Sequence, residues 1–243
     1  MIVLLKKEIS GFFSNLTGYV VILTYLTINS LFIWVIPGDN NIIQSNYASL
    51  HPFFEISPWL FLFLVPAVMM RTLSDEKKSG TIELLYTRPI TELQIIISKY
   101  FAGIIIVLLS ILPSLTYFFY VGYLGNPPFN LDIGGTIGAY IGLFFLASIY
   151  AAVGLFASAI TDNPIVSFIL AMLMCFGLYT GFDYLSNVPG LVNIADTISS
   201  MGINQHYKSL SRGVIDSRDI IYFLSTISVF ILCSKTVLES RKW

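Results

Sequence analysis

The segment GGTIGAYIGLFFLASIYAAVGLFASAI, Gly134–Ile160, decides the fold class of this protein. It runs for 27 residues without a single charged side chain. An α-helix needs about 20 predominantly apolar residues to cross the hydrocarbon core of a bilayer, whereas buried helices of soluble proteins usually have shorter apolar stretches. The segment is therefore predicted to be a transmembrane helix.

The composition of the whole chain agrees with this prediction. Of 243 residues, 56% are hydrophobic and 11% are charged, and the mean hydropathy is +0.79. Soluble domains carry about 25% charged residues, so a soluble fold of this length would lack the charge to cover its surface. We predict an all-α integral membrane protein with one transmembrane domain over residues 1–243.

Six apolar segments are predicted to span the membrane. They are residues 16–36, 58–70, 100–123, 134–160, 165–185 and 220–237. Pro37-Gly38 ends the first span, and Pro66 is predicted to kink the short second one. The uncharged stretch at the N-terminus is far longer than the apolar core of a signal peptide and ends without a cleavage motif. It is therefore expected to be retained.

A short amphipathic segment precedes the first span. Its apolar residues recur at helical spacing, and they are Leu5, Ile9, Phe12, Phe13 and Leu16. Lys7, Ser10 and Ser14 fall on the opposite side. This pattern is typical of a helix lying in the membrane interface. The alternative is a simple extension of the first span.

The distribution of lysine and arginine predicts the orientation. Ten of these residues fall on the side that holds both chain termini, and three fall on the other side, namely Lys208, Arg212 and Arg218. Basic residues are enriched in cytosolic loops of membrane proteins. Both termini are therefore predicted to be cytosolic.

Several function classes lack their motifs in this sequence. There is no phosphate-binding G-x-x-x-x-G-K-[ST] loop, no H-E-x-x-H zinc motif and no G-x-S-x-G nucleophile motif. Cys175 and Cys233 lie in apolar runs, which favours packing roles over metal binding. The net charge of −1 gives no basic surface for nucleic acid. We expect a protein that is not an enzyme and binds no metal, cofactor or nucleic acid itself.

The stretch Arg71–Lys99, RTLSDEKKSGTIELLYTRPITELQIIISK, is the most charged part of the chain. It contains a candidate helix at Thr81–Thr87, where Ile82, Leu85 and Tyr86 share one face and Glu83 points away. Arg88-Pro89 breaks this helix. A second helix opens at Thr91 with Gln94 three residues later, which predicts a capping box. From these residues alone, a docking element and a plain connector between the second and third spans are equally good interpretations.

Small residues recur along the fourth span as Gly134, Gly138 and Gly142, a spacing that allows two helices to approach closely. Their partner is expected to be another span of the same subunit, the alternative being a second subunit. Asn29 places an amide within the first span. It is expected to bond across helices, the alternative being a place on a substrate path.

The run EKKSGTIELLYTRPIT, Glu76–Thr91, resembles the signature of ABC-2 type exporter permeases. The N-terminal segment Lys6–Tyr19 and the late segment Gln205–Tyr222 add to this resemblance. The string PWLFLF, Pro58–Phe63, with Pro66, is similar to one branch of that family, the gliding-motility-associated permease subunit.

The resemblance implies a cytosolic coupling helix between the second and third spans that docks on an ABC ATPase subunit. The residues that match it or belong to the candidate helix are Glu76, Gly80, Thr81, Ile82, Glu83, Leu84, Leu85, Tyr86 and Pro89. Residues Leu5 to Phe13 match the interfacial connecting helix of the family. The region around Gly213, Asp216 and Asp219 matches an extracellular cap.

The same resemblance implies the partners and the location of the protein. ATP and Mg²⁺ are expected on the separate ATPase, and a second permease copy or a related permease completes the translocation path. The gliding branch adds an auxiliary membrane subunit with a periplasmic domain, and a bacterial inner membrane as the location. The alternative function is a non-transporting membrane anchor of a motility or secretion complex.

Overall fold

The computed structural model describes residues 1–45, 47–83 and 90–240, and over these ranges the protein contains helices and no strand. Six of its helical segments are long and apolar enough to cross a membrane, and they are Thr17–Val35, His51–Lys78, Glu92–Leu124, Ile133–Ile160, Pro164–Ser186 and Ser217–Ser240. The predicted fold class, an all-α integral membrane protein, is therefore confirmed.

The α-helices are numbered in chain order over the described residues. They are α1 (Ile2–Ser14), α2 (Thr17–Ser30), α3 (Ile42–Ser45), α4 (His51–Met69), α5 (Ser74–Lys78), α6 (Glu92–Ile111), α7 (Leu115–Leu124), α8 (Ile133–Ile160), α9 (Pro164–Phe176), α10 (Phe182–Ser186), α11 (Ala195–Ser199), α12 (Ile203–Ser211) and α13 (Ser217–Ser240). Short π-helical turns follow α2 and α9, and 3₁₀ turns follow α6 and precede α11.

One span begins earlier than the sequence predicts, and another continues from a predicted helix. The second was expected to start at Pro58, but α4 starts at His51, with Pro52 in its first turn, where the missing N–H of proline costs no hydrogen bond. The third was expected to start at Tyr100, as the continuation of a helix that opens at Thr91. Helix α6 does run without a break from Glu92 through Lys99 into this span. The ends of the other four spans differ from the prediction by at most three residues.

Helix α8 lies at the centre of the bundle. Within its apolar window 78% of residues are buried, against 28% for the first and fifth spans and 17% for the sixth. It packs against α4, α6, α9, α12 and α13. Small side chains such as Ala147, Ala151 and Ala152 are fully buried along it, so neighbouring helices come close. The first, fifth and sixth spans keep wide faces for lipid or for another subunit.

The N-terminal segment is a separate helix from the first span. Helix α1 ends at Ser14, and Leu16 then adopts a left-handed conformation (φ 59°) before α2 begins at Thr17. A left-handed leucine interrupts a right-handed helix. Helix α1 packs along α6 and α2, with Leu4 buried.

An even number of spans places both chain termini at one end of the bundle, which is called the terminal face here. Helices α1 and α5 and the turn before α9 lie at this face. The segments before α4, between α7 and α8, and between α10 and α13 lie at the other end, called the opposite face.

Polar groups inside the bundle bond across helices. Asn29 is fully buried, and the Ser57 hydroxyl of α4 donates to its Oδ1 at 3.4 Å. The Tyr25 hydroxyl is 2.9 Å from the same serine. Such bonds contribute about 0.6 kcal/mol each on average in membrane proteins. Asn29 therefore joins α2 to α4, as expected for a polar group within a span.

Candidate functional site

The segment predicted to couple the chain to an ATPase begins with α5, and a serine from α8 caps this helix. The Ser158 hydroxyl accepts hydrogen bonds from the backbone N–H groups of Leu73 and Ser74, at 3.0 and 2.9 Å. It donates to the Met70 carbonyl at 3.1 Å. The N-cap residue Leu73 has no side chain that can do this, so the start of α5 is attached to α8.

Lys77 attaches the end of α5 to the end of α8. Its Nζ donates to the carbonyl of Ala159 and lies 3.9 Å from the Asp162 carboxylate, and its side chain is 1% exposed. The last carbonyls of a helix lack intrahelical partners and carry partial negative charge, which favours a lysine at this position. The neighbouring Lys78 is exposed. Of the two lysines in the predicted docking signature, Lys78 is therefore the one that faces outward.

A buried lysine of α6 completes the junction. Lys99 has no exposed surface, and its ammonium group meets three oxygen atoms. They are Glu8 Oε1 at 3.0 Å, Glu76 Oε2 at 2.9 Å and the Thr72 carbonyl at 2.6 Å. The ammonium donates hydrogen bonds to Glu8 and to the Thr72 carbonyl, and its contact with Glu76 is ionic. Lys99 thereby joins α1, α5 and the turn before α5 to the third span.

The charges of this cluster depend on one another. Glu8 and Glu76 together carry one negative charge more than Lys99, and the largely exposed Lys7 lies 3.7 Å from the other oxygen of Glu76. Glu76 Oε2 is buried and makes no aligned hydrogen bond within the described ranges, so its attraction to Lys99 is mainly ionic. A buried carboxylate without its cation is strongly destabilising. The cluster therefore holds its three helices in one arrangement.

Lys99 was predicted on the cytosolic side, on the helix that leads into the third span, but its burial was not predicted. It sits within the otherwise uncharged run Ile95–Leu109, about 10 Å into α6 at about 1.5 Å per residue. A lone charge in an apolar membrane helix indicates a paired, buried group. That signal was present in the sequence, but nothing in it identified Glu8 and Glu76 as the partners.

The end of α4 is also held tightly beside this cluster. Met69 lies between α6 and α8, where a Cβ on Gly154 would fall 2.7 Å from Met69 Cβ. A Cβ on Gly103 would meet the Met69 sulfur. Glycines on both neighbouring helices thus provide the groove that receives this methionine, which lies five residues before α5.

After α5 the chain turns at Gly80. This residue has φ +71°, a left-handed conformation that glycine adopts without steric cost and that commonly ends a helix. Thr81 and Glu83 are exposed, whereas Ile82 packs against the core. Leu84, Leu85, Tyr86 and Pro89, the remaining predicted coupling residues, lie outside the described residues. Glu76 is the only predicted coupling residue that the described part of the chain places in the ionic cluster.

The predicted capping box at the start of α6 is confirmed. The Thr91 hydroxyl accepts from the Gln94 backbone N–H, and the Gln94 side chain accepts from the Thr91 N–H, both at 3.3 Å. The candidate docking segment is therefore bounded by two defined helix ends, α5 and α6.

The predicted interfacial residues Leu5, Ile9, Phe12 and Phe13 are all half-buried. Phe12 and Phe13 pack against the core, and Phe13 lies against Gly18 of α2. Glu8 belongs to the same packed side of α1, although no sequence pattern indicated this. Helix α1 therefore contacts the bundle itself, through both apolar and ionic groups.

The glycines predicted for helix packing lie at the opposite face. A Cβ on Gly138 would fall 2.8 Å from Gly213 Cα, and one on Gly142 would fall 2.7 Å from Leu210 Cβ. Gly134 has only an ordinary contact, with Asp132. The partner of Gly138 and Gly142 is thus α12 and the turn after it, within the same chain, and it is not another span.

No metal-binding group is found over the ranges 1–45, 47–83 and 90–240, where no three His, Cys, Asp or Glu side chains cluster suitably. Cys175 and Cys233 are free thiols. Among the described residues, the charged groups of the terminal face therefore serve to attach helices to one another through ion pairs.

Comparison with protein families gives one finding at the level of the whole chain. The family model described as ABC-2 family transporter protein matches residues 40–238, which is well over half of the sequence. This match includes α4, α5, α6 and Lys99. A comparison with curated proteins gives no match.

Proposed function

Because the chain belongs to the ABC-2 transporter family, whose members are multi-pass membrane subunits that partner with an ABC ATPase, we propose that it is the permease subunit of an ATP-driven exporter. The terminal face is cytosolic in this proposal, and the membrane is the inner membrane of a bacterium. ATP and Mg²⁺ bind the partner subunit, since this sequence has no phosphate-binding loop of its own.

The segment between Gly80 and Thr91 is proposed to receive the movement of the ATPase. The main support is the attachment of residues 72–78 to three other helices, through Lys99 to α1 and α6 and through Ser158 and Lys77 to α8. A displacement of this segment would therefore move the third and fourth spans together with the second. Closure of the ATPase dimer would in this way tilt several spans at once and open the path outward.

Exposed residues at the start of this segment suit a contact with another protein. Four residues here are exposed, namely Lys78, Ser79, Thr81 and Glu83. Lys77 is attached to the end of α8, whereas Lys78 faces outward. Lys78 suits an acidic groove on the ATPase. The amphipathic face with Ile82, Leu85 and Tyr86, read from the sequence, supplies apolar contacts.

The sequence resemblance supports three further parts of the proposal. One subunit has too few spans to enclose a path, so a second permease copy or a related permease pairs with it. The system is gliding-motility-associated, and an auxiliary membrane subunit with a periplasmic domain joins the complex.

Site-specific crosslinking tests the docking proposal. A photo-crosslinking amino acid at Ser79 should capture a nucleotide-hydrolysing polypeptide in native membranes. The same group at Asn126, which is exposed at the opposite face, should not capture it. Failure to capture such a protein at Ser79, with efficient insertion of the variant, would remove the docking proposal.

ATP hydrolysis distinguishes an exporter from a membrane anchor. After purified permease joins the ATPase in lipid vesicles, the hydrolysis rate should change if the two are coupled. The Glu76→Gln variant should weaken that change, because it loosens the attachment of α5 to α6. An unchanged rate on assembly with wild-type permease would favour the non-transporting anchor instead.

A further inference from the structure

Helix α12 forms one wall of a cavity at the opposite face. The cavity has a volume of about 610 Å³, within the range of small-molecule sites. Asn204, Tyr207, Lys208 and Ser211 of α12 line it, and their spacing of three and four residues places them on one side of the helix. Trp59 of α4 forms part of the facing wall. Helix α12 is therefore positioned as a lid.

The cavity side of the lid is tied to α4. The Tyr207 hydroxyl donates to the Phe54 carbonyl at 2.7 Å. Burial raises the pKa of Tyr207 well above its usual value, so this donor keeps its proton throughout the physiological range. This attachment is therefore independent of pH.

A second attachment joins α12 to α13 through His206, and unlike the first it contains a side chain that can gain or lose a proton. Its Nδ1 lies 2.6 Å from Asp219 Oδ1, and its Nε2 lies 2.9 Å from the Ser200 carbonyl oxygen. A carbonyl oxygen and an ionised carboxylate only accept hydrogen bonds, and a neutral imidazole has a single N–H. Both contacts can be hydrogen bonds at once, with Asp219 ionised, only when the imidazole is protonated.

Two further observations favour a positive charge at this position. The imidazole stacks on the ring of Tyr222, with centroids 4.0 Å apart and planes 20° apart, and aromatic faces attract cations. The second oxygen of Asp219 is buried and has no hydrogen-bond partner in the described part of the chain. A buried carboxylate in this state relies on a nearby cation.

Other charged groups on these elements do not share the contact. Asp216 and Arg218 beside Asp219, Lys208 on α12 and Asp196 on α11 are exposed. Asp183 on α10 accepts a hydrogen bond from Asn204 at 2.5 Å, on the cavity side of α12. Charges in water are screened over about 10 Å, so His206 and Asp219 dominate each other's environment.

We propose that His206 and Asp219 form a proton-operated latch that holds α12 as a lid over this cavity. The protonated imidazole makes both hydrogen bonds and the ionic contact. Loss of one proton removes the ionic contact and one hydrogen bond. The imidazole gains this proton as the pH falls and loses it as the pH rises, so the latch is complete in acid and weakens with rising pH. In the proposed orientation this face lies outside the cytosol, where it meets the external pH.

Nuclear magnetic resonance tests the protonation directly. The chain has two histidines, and the other, His51, is exposed. In the His51→Asn protein, ¹⁵N-histidine labelling therefore reports on His206 alone. Both ring nitrogens should be protonated at pH 5, and only one at pH 9. A ring that carries a single proton across this whole range would overturn the proposal.

Labelling of the cavity tests the lid. Thr180 lines the cavity and is nearly buried, so a Thr180→Cys variant, with Cys233→Ser, places a thiol beneath α12. The measured quantity is a ratio, the labelling rate with His206→Asn added divided by the rate without it. Both proteins carry the same thiol, so the ratio cancels the pH dependence of the thiol. The ratio should be roughly ten at pH 5.5, since a charge-assisted hydrogen bond contributes about 1.5 kcal/mol or more. It should fall several-fold as the pH rises, to the smaller value supported by the one hydrogen bond that the neutral ring keeps.

Controls separate opening of the lid from unfolding. Asp219→Asn should label as fast as His206→Asn, whereas Asp216→Asn should behave as the parent protein. Cys175 is fully buried elsewhere in α9 and should stay unlabelled in all of them. A ratio of one at acid pH, or a ratio that does not change with pH, would show that the pair does not hold the lid. The assay uses the permease alone, so it is independent of any coupling to an ATPase.

Discussion

At the scale of single residues, Lys99 is expected to be the most sensitive position of the terminal face. Lys99→Met removes the cation that faces both Glu8 and Glu76, and leaves two largely buried carboxylates with only the exposed Lys7 beside one of them. Removing one partner of a buried ion pair costs about 3–5 kcal/mol. Unfolding of the purified protein in detergent should show a loss of this order.

Two comparisons make that prediction specific. Lys235→Met removes an exposed pair with Glu239 and should cost less than about 0.5 kcal/mol. Adding Glu8→Gln and Glu76→Gln to Lys99→Met should restore much of the stability, because neutral groups need no cation. If the triple variant were no better than the single one, lost packing rather than charge would explain the effect.

Ser158 is predicted to matter through the helix end that it caps. Ser158→Ala leaves the N–H groups of Leu73 and Ser74 without their acceptor and should destabilise the protein by about 1–2 kcal/mol. Ser148→Ala on the same helix is the matched control. The Ser148 hydroxyl bonds only to the Phe144 carbonyl of its own helix, so a change below about 0.5 kcal/mol is expected. Equal effects in thermal unfolding would contradict the capping role.

The sequence contains part of this information. A lysine inside an apolar run indicates burial, and a T-x-x-Q pattern indicates a capping box; the box is present, and the lysine is buried. The partners of Lys99 are a different matter, because Glu8 and Glu76 lie 91 and 23 positions away along the chain. Which carboxylates meet it depends on how α1 and α5 pack, and local patterns do not encode this.

At the scale of helices, hydropathy identifies the six spans but misplaces the start of the second. Residues 51–57, HPFFEIS, contain a histidine, a proline and a glutamate and therefore read as loop. In the structure Phe53 and Phe54 face the core, while Glu55 is exposed. His51 and Glu55 lower the mean hydropathy of this stretch although both are exposed, so mean hydropathy underestimates the length of the helix.

The packing of α12 against α8 is predicted to depend on the glycines of α8, which have no side chain at the contact. An added Cβ at Gly142 would meet Leu210 at 2.7 Å, so Gly142→Ala should displace α12 and cost about 1–3 kcal/mol. Gly11→Ala in α1 is the control, since nothing lies within 4 Å of its Cβ position. It should be neutral or stabilising, because alanine favours helices over glycine by up to about 1 kcal/mol. Unfolding measurements and labelling at Thr180→Cys would both detect displacement of α12.

At the scale of the whole molecule, α8 connects the two functional ends. Ser158 and the carbonyl of Ala159 hold α5 at the terminal face, and Gly138 and Gly142 receive α12 and the turn after it at the opposite face. The helix between them is nearly completely buried. A tilt of α8 at the terminal face is therefore expected to change how α12 packs at the opposite face. Hydropathy alone indicates only that α8 is a span and does not indicate this connection between the two faces.

The orientation of the whole bundle is the last prediction. The sequence assigns ten lysine and arginine residues to the terminal side and three to the other, and such an asymmetry predicts that the basic side lies in the cytosol. Reporter fusions that are active only in the cytosol should therefore be active after Ser79 and silent after Asn40, and periplasmic reporters should show the reverse. Replacing Lys6 and Lys7 by glutamine should leave this pattern unchanged, because most of the basic residues remain. A periplasmic signal at Ser79 would place the docking segment on the side without ATP, and the exporter proposal would fail with it.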